Sequence, residues 1–142
     1  MSAVILRIGT PYGNGEPAAN VVPTFMANAV NNELLLIKGG DVNLNLVYID
    51  DVVDCVLSAI RCPSEGIFNV ASEERTTLKY LATSILEVYS ESTSTCDVEP
   101  ILNKGYQALA TEKIRQVWGV APCNLVDGLQ KYRQILKKEK II

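Results

Sequence analysis

Residues 3–8, AVILRI, form a nearly continuous apolar run, the pattern of a strand covered on both faces in a parallel sheet. The polar, glycine- and proline-rich stretch 9–22 reads as a loop. From Pro23 the pattern becomes helical (PTFMANAVNN), with proline at its favoured first position. ELLLI (33–37) and LNLVYI (44–49) read as two strands around a reversal at KGGD (38–41). The period then changes. In DDVVDCVLSAI (50–60), Val52, Val53, Val56, Leu57 and Ile60 share one helical face, with Asp50 or Asp51 as its cap.

GIFNVAS (66–72) reads as a strand. The clearest helix is 76–90, where Leu78, Leu81, Ala82, Ile85, Leu86 and Tyr89 recur at helical spacing. A short strand at 96–102 leads to a helix at 109–119 ended by Gly119, and a last helix covers about 124–138. Strands alternating with helices predict an α/β fold. With 142 residues, no internal repeat and no low-complexity linker, residues 1–142 read as a single domain.

Composition narrows the function. A net charge of −3 gives no basic footprint for nucleic acid or an anionic membrane, and the KKEK cluster (137–140) suits a solvated helix end. The start of the chain lacks the pattern of a signal peptide, and no apolar stretch reaches bilayer length. Cys55, Cys62, Cys96 and Cys123 form no C-x-x-C pair, so reduced thiols and a cytoplasmic location are expected. The chain contains no histidine, which removes Ser-His-Asp and Cys-His nucleophiles, imidazole acid–base chemistry and His-ligated zinc.

Three motifs invite chemistry. Gly9, Gly13 and Gly15 have the G-x-x-x-G-x-G spacing of a dinucleotide loop, but EPAANVVP follows where a phosphate-holding helix should open. The partner motif, tyrosine and lysine four residues apart, is also missing. Tyr12, Tyr48, Tyr80, Tyr89, Tyr106 and Tyr132 are followed at that distance by Glu16, Val52, Ser84, Thr93, Ala110 and Leu136. DVNLN (41–45) starts like a calcium loop, yet Leu46 and Val52 occupy the positions that need glycine and glutamate. No metal site is expected. Asp50 and Asp51 read as caps more readily than as an acid–base pair, and Trp118 with the 78–89 stripe as core.

The order of the segments resembles the C-terminal half of the NAD-dependent epimerase/dehydratase family, the extended short-chain dehydrogenases that act mostly on nucleotide sugars. LRIGTPYGNGEP is similar to the family's LRxxNxYGPGxxP, and NVVPTFM to xVIPxFI. LNLVYIDDVVDCVLSAI is similar to RDFVYVDDVVDAxxxAL, and GIFNVASEERTTLKYLA to GxxFNVGSGExxTxxELA. TEKIRQVWGVAPCNLVDGL resembles xSKAxxxLGWxPxxxLxEGL, so the likeness runs along essentially the whole chain.

The resemblance implies an extended Rossmann-type fold of which this chain holds one leftover sheet strand and a small mixed α/β substrate-binding subdomain. The NAD-binding half, with its cofactor loop and Tyr-x-x-x-Lys pair, would lie outside these residues. NAD or NADP is then implied for the intact enzyme but not for this chain, which would hold no catalytic residue and would not be competent alone. The implied substrate contacts are Thr10, Tyr12, Val22, Pro23, Asn45, Tyr48 and Lys104. Thr10 replaces the family's substrate-side asparagine, and Leu44 and Asn45 replace an Arg-Asp pair. NKGY (103–106) replaces RPGD, leaving Lys104 as a point charge without arginine's fork. Beside a nucleotide sugar, the open alternatives are a non-nucleotide sugar, a steroid- or flavonoid-like alcohol, and a non-catalytic remnant or interaction module. Strand 3–8, apolar on both faces, predicts self-association or pairing with a separate NAD-binding half.

Overall fold

The computed structural model describes residues 3–62, 64–101, 107–139 and 141. Strand β1 (Val4–Ile8) pairs in parallel with β6 (Gly66–Val70), Leu6 opposite Phe68. The sheet piece therefore has two strands and not the single one expected. Nor is β1 covered on both faces, because Ile5 is 53% exposed. Inside the segment read as loop, β2 (Thr10–Tyr12) pairs in parallel with β5 (Leu46–Tyr48).

The reversal at 38–41 makes no hairpin. β3 (Leu35–Lys38) pairs in parallel with β8 (Cys96–Glu99), whereas β4 (Asn43–Leu44) pairs antiparallel with β7 (Thr76–Thr77). The turn closes on itself through Val42 N–H donating to the Gly39 carbonyl at 2.9 Å. The carbonyls of Val42 and Gly40 then accept from Leu78 and Lys79, drawing the chain away from β3. This pairing also delays the following helix: α3 runs Leu78–Val88, with Thr77 Oγ1 accepting from Tyr80 N–H as its cap.

Two other helices differ from their sequence pattern. α1 (Val21–Val30) opens ahead of Pro23, which falls inside the first turn, where a missing N–H leaves no bond unmade. α2 (Ile49–Arg61) follows β5 without a break, Tyr48 holds its cap position, and no side chain caps it. Asp51 is buried and accepts instead from Cys123 N–H at 3.0 Å, while Asp50 is exposed. Of the predicted face of α2 only Val52 is buried. Asp51, Val52 and Cys55 are buried, whereas Val53, Val56, Leu57 and Ile60 are open.

α4 (Glu112–Trp118) stops at Gly119, whose left-handed φ of 69° is one that glycine adopts without strain. α5 (Leu125–Lys138) is capped by Asn124, whose Oδ1 accepts from Asp127 N–H at 2.9 Å. The larger core joins α1, α3 and α5 to β3 and β5 through residues such as Phe25, Met26, Leu35, Ile85 and Leu129. A smaller core under β1 and β6 contains Val52, Cys55, Phe68, Val70 and Ile114, with Trp118 stacked on Phe68 at 4.1 Å. All four cysteines are free. Among the described residues no helix is long and apolar enough to cross a membrane.

Candidate functional site

In parallel α/β structures, ligands collect beyond the carboxyl ends of the strands, where loops diverge and backbone groups are left open. β2 and β5 end side by side at Tyr12 and Tyr48. Beyond them lies a cleft of about 340 Å³, lined by Thr10, Tyr12, Asn14, Glu16, Asn20 and Ile49 among others. That volume lies within the usual range for small-molecule sites.

The loop that walls the cleft is held by its own side chains. Glu16 Oε1 accepts from Gly13 N–H at 3.2 Å and Oε2 from Asn20 Nδ2 at 3.3 Å. Asn14 Nδ2 donates to Glu139 at the end of α5 at 3.2 Å. Burial raises the Glu16 pKa above the ordinary carboxylate value, and the bond from Gly13 lowers it in part. Tyr12 forms the floor, its ring 5.6 Å from that of Tyr48, its hydroxyl donating to the Leu125 carbonyl at 3.5 Å. Burial drives the Tyr12 phenol far above its ordinary range, so it is a neutral wall and not an acid or base.

The glycines of the 9–15 loop have structural tasks. A Cβ on Gly9 would lie 2.2 Å from the Asn45 carbonyl oxygen, so the approach of β2 to β5 requires glycine there. Gly13 (φ 144°) lies against the Ile49 side chain, and a Cβ there would come within 2.6 Å of it. No helix opens at Gly15; the first begins at Val21. The loop therefore lacks the helix N-terminus that cradles a pyrophosphate, and its residues do not fit NAD in that way. Among the described residues no group of three His, Cys, Asp or Glu side chains could hold a metal ion.

The residues singled out from the sequence scatter. Thr10 and Tyr12 line the cleft together. Pro23 lines a second cavity of about 370 Å³ behind the same loop, with Met26, Tyr132 and Leu136. Val22 and Tyr48 are each 1% exposed, inside the larger core, and the Tyr48 hydroxyl has no hydrogen-bond partner among the described residues. Asn45 is a clip: Nδ2 donates to the Gln107 carbonyl and Oδ1 accepts from Leu109 N–H, both at 3.0 Å. Lys104 lies outside the described residues. Sequence reading missed Asn14, Glu16, Asn20 and Ile49. One signal pointed to Glu16: it is the only charged residue between Arg7 and Glu33.

The model of the NAD dependent epimerase/dehydratase family matches residues 1–71, half of the chain. Among solved structures, the Bordetella bronchiseptica enzyme WbmF in complex with NAD+ and UDP is 26% identical, with a TM-score of 0.79; the match covers 97% of this chain and 47% of that one. UDP-glucose 4-epimerase from Thermotoga maritima, solved with UDP-glucose, shares the fold at a TM-score of 0.80 and 24% identity, over 96% of this chain and 46% of that one. UDP-glucuronic acid 4-epimerase from Bacillus cereus, in complex with UDP-glucuronic acid and NAD, does so at 0.79 and 19%, over 95% and 45%. The chain thus spans a little under half the length of these structures. No curated protein matches it. On the match that runs from β1 through the glycine loop to the end of β6, this chain belongs to the NAD dependent epimerase/dehydratase family.

Proposed function

We propose that this chain forms the substrate-holding side of a nucleotide-sugar epimerase or dehydratase, with the redox cofactor and the proton-transferring groups carried by the other half of the family fold. The observation that carries this reading is the cleft beyond β2 and β5, built from the loop that the family model spans. Similar folds solved with UDP-glucose, or with NAD and UDP, support it. The chain's part is to bind and orient: a positioned sugar hydroxyl needs no search for its reaction partner, and proximity alone supplies much of a rate enhancement. It is not catalytically competent alone, since Tyr12 is a neutral wall and no tyrosine has a lysine four residues on.

The lining also favours a second substrate class. Thr10, Asn14, Asn20 and Glu16 offer donors and acceptors suited to sugar hydroxyls, but Glu16 is the only charged residue among them. A diphosphate needs a cation, and Lys104 is the candidate that the family pattern supplies. A sugar without a nucleotide, or another polyhydroxylated alcohol, needs none.

Isothermal titration of the purified chain with UDP-glucose, dTDP-glucose, UDP and free glucose separates these readings. The expected result is saturable binding of the sugar nucleotide, weakened about tenfold by Glu16→Gln, a loss near 1.4 kcal/mol. Binding of free glucose as tight as that of UDP-glucose selects the second class. No saturable heat with any of the four at about 1 mM ligand overturns the proposal.

A further inference from the structure

A second cavity stands behind the loop that walls the cleft. Its volume of about 370 Å³ is close to the cleft's 340 Å³, and both suit a small molecule. The floor is made of buried side chains, Met26 from α1 with Tyr132 and Leu136 from α5. Ala27 of α1 and Ile141 form an open rim. A reversal after α5 brings Ile141 there, its N–H donating to the Leu136 carbonyl at 2.9 Å. Outside the loop, Tyr132 is the only polar side chain that lines the cavity among the described residues.

The cavity and the cleft share a wall, for Asn14, Gly15 and Glu16 line both. The two sides of that wall differ in chemistry. The Glu16 carboxylate accepts from Gly13 and Asn20, which line the cleft and not the cavity, so its charge is held on the cleft side. Asn14 is drawn off to Glu139 at the end of α5. Between them Gly15 has no side chain, and a Cβ built on it would meet nothing within 4 Å. The crest of the wall is therefore low, and a molecule can lie across Gly15 with one end in each space.

This geometry selects an amphiphile. On the cleft side Thr10, Asn20 and Glu16 offer hydroxyl, amide and carboxylate groups to a polyol. On the cavity side a polar group gives up its hydration for little in return, whereas an apolar group gains by leaving water. We infer that cleft and cavity form one bipartite site for a sugar or polyol that carries an apolar substituent. The hydroxyls lie in the cleft and the substituent crosses Gly15 into the cavity. The inference rests on the reading of the cleft as a sugar-holding site and deepens its second substrate class.

Isothermal titration with methyl β-glucoside, octyl β-glucoside below its micelle concentration and 1-octanol tests it. The octyl glycoside binds saturably, and burial of about half its chain makes it about a hundredfold tighter than the methyl glycoside. Ala27→Trp fills the cavity from its open rim and returns octyl glucoside to the affinity of methyl glucoside. Ile141→Asp, which places a charge at the rim, weakens it in the same direction. Both positions are exposed, so circular dichroism is unchanged in either variant. Equal affinities of the two glycosides overturn the inference. So does a tightening that survives both substitutions, because the chain then lies elsewhere, and so does octanol bound as tightly as octyl glucoside. Octyl glucoside binding that responds to Ala27→Trp, with no heat from UDP-glucose, upholds the inference and removes the nucleotide-sugar reading. UDP-glucose heat with equal glycoside affinities does the reverse.

Discussion

Gly128 sits in the middle of the first half of α5, where glycine costs roughly 1 kcal/mol relative to alanine. Propensity alone therefore predicts that Gly128→Ala stabilises the protein. The packing predicts the opposite. A Cβ at Gly128 would lie 1.9 Å from the Tyr12 hydroxyl oxygen and 2.9 Å from the ring carbon that bears it. Ordinary contact is about 3.5 Å, and Tyr12 is 3% exposed and packed against Tyr48, so relieving the overlap means moving a core ring. Overpacking of this kind costs about 1–3 kcal/mol, and an overlap this deep belongs at the upper end. Net of the helix gain, Gly128→Ala loses about 2 kcal/mol, or roughly 1 M in the urea midpoint. Tyr12→Phe alone loses under about 1 kcal/mol, because the bond to the Leu125 carbonyl is at the 3.5 Å limit. The double variant removes the worst overlap and recovers most of the loss, so the two changes couple by more than about 1 kcal/mol. Trp118 lies in the smaller core, so its fluorescence must agree with circular dichroism before either is used. A Gly128→Ala protein at least as stable as the parent, or two effects that simply add, refutes the reasoning.

Two further outcomes follow from the same geometry. Gly9→Ala forces a Cβ to 2.2 Å from the Asn45 carbonyl, which accepts from Thr10 N–H at 2.7 Å; it costs roughly 2–4 kcal/mol in urea unfolding. Gly15→Ala meets open space and costs only about 1 kcal/mol for its φ of 89°, whereas equal and negligible losses at both would restore the cofactor-loop reading. The second concerns pH. Burial, with the hydrogen bond to Asp51, lifts the Cys123 thiol from 9.0 to about 12, and burial lifts Tyr132 from 10.0 to about 12. Unfolded, these groups ionise at their ordinary values, so the stability they supply is complete below pH about 9 and lost as pH climbs to about 12. The urea midpoint is then flat near neutrality and falls above pH about 9, less steeply in Cys123→Ala; a rise over that range contradicts the assignment.

Local signals placed most elements in the sequence, because caps, stop signals and helical spacing act within a few residues. Gly119 ends α4 as read, and the stripe of 78–89 supplies Leu81, Ala82, Ile85 and Tyr89 to the core. Pairing was not legible in the same way. Nothing local to KGGD says that β3 leaves for β8 and β4 for β7, since those partners are tens of residues away. The candidate site divides along the same line. Thr10 and Tyr12 came from the likeness of LRIGTPYGNGEP to the family's motif, but Asn14, Glu16 and Asn20 enter the cleft through bonds within the loop that no period encodes.

The misread face of α2 is the most informative of these differences. Hydrophobic spacing reports which residues a helix has to bury, and what is buried depends on what lies beside it. In α2 the two disagree: Val53, Val56, Leu57 and Ile60 carry the apolar pattern, yet this fold covers the sector that contains Asp51 and Cys55. Buried Asp51 is explained locally, by its bond to Cys123 N–H. The open valines, leucine and isoleucine have no such account within these residues, and neither have Ile5 and Ile67 on the bare face of β1 and β6. A lone exposed apolar side chain needs no explanation, but a contiguous set beside an unpaired strand edge does. These residues are why periodicity pointed to a side of α2 that this fold leaves open.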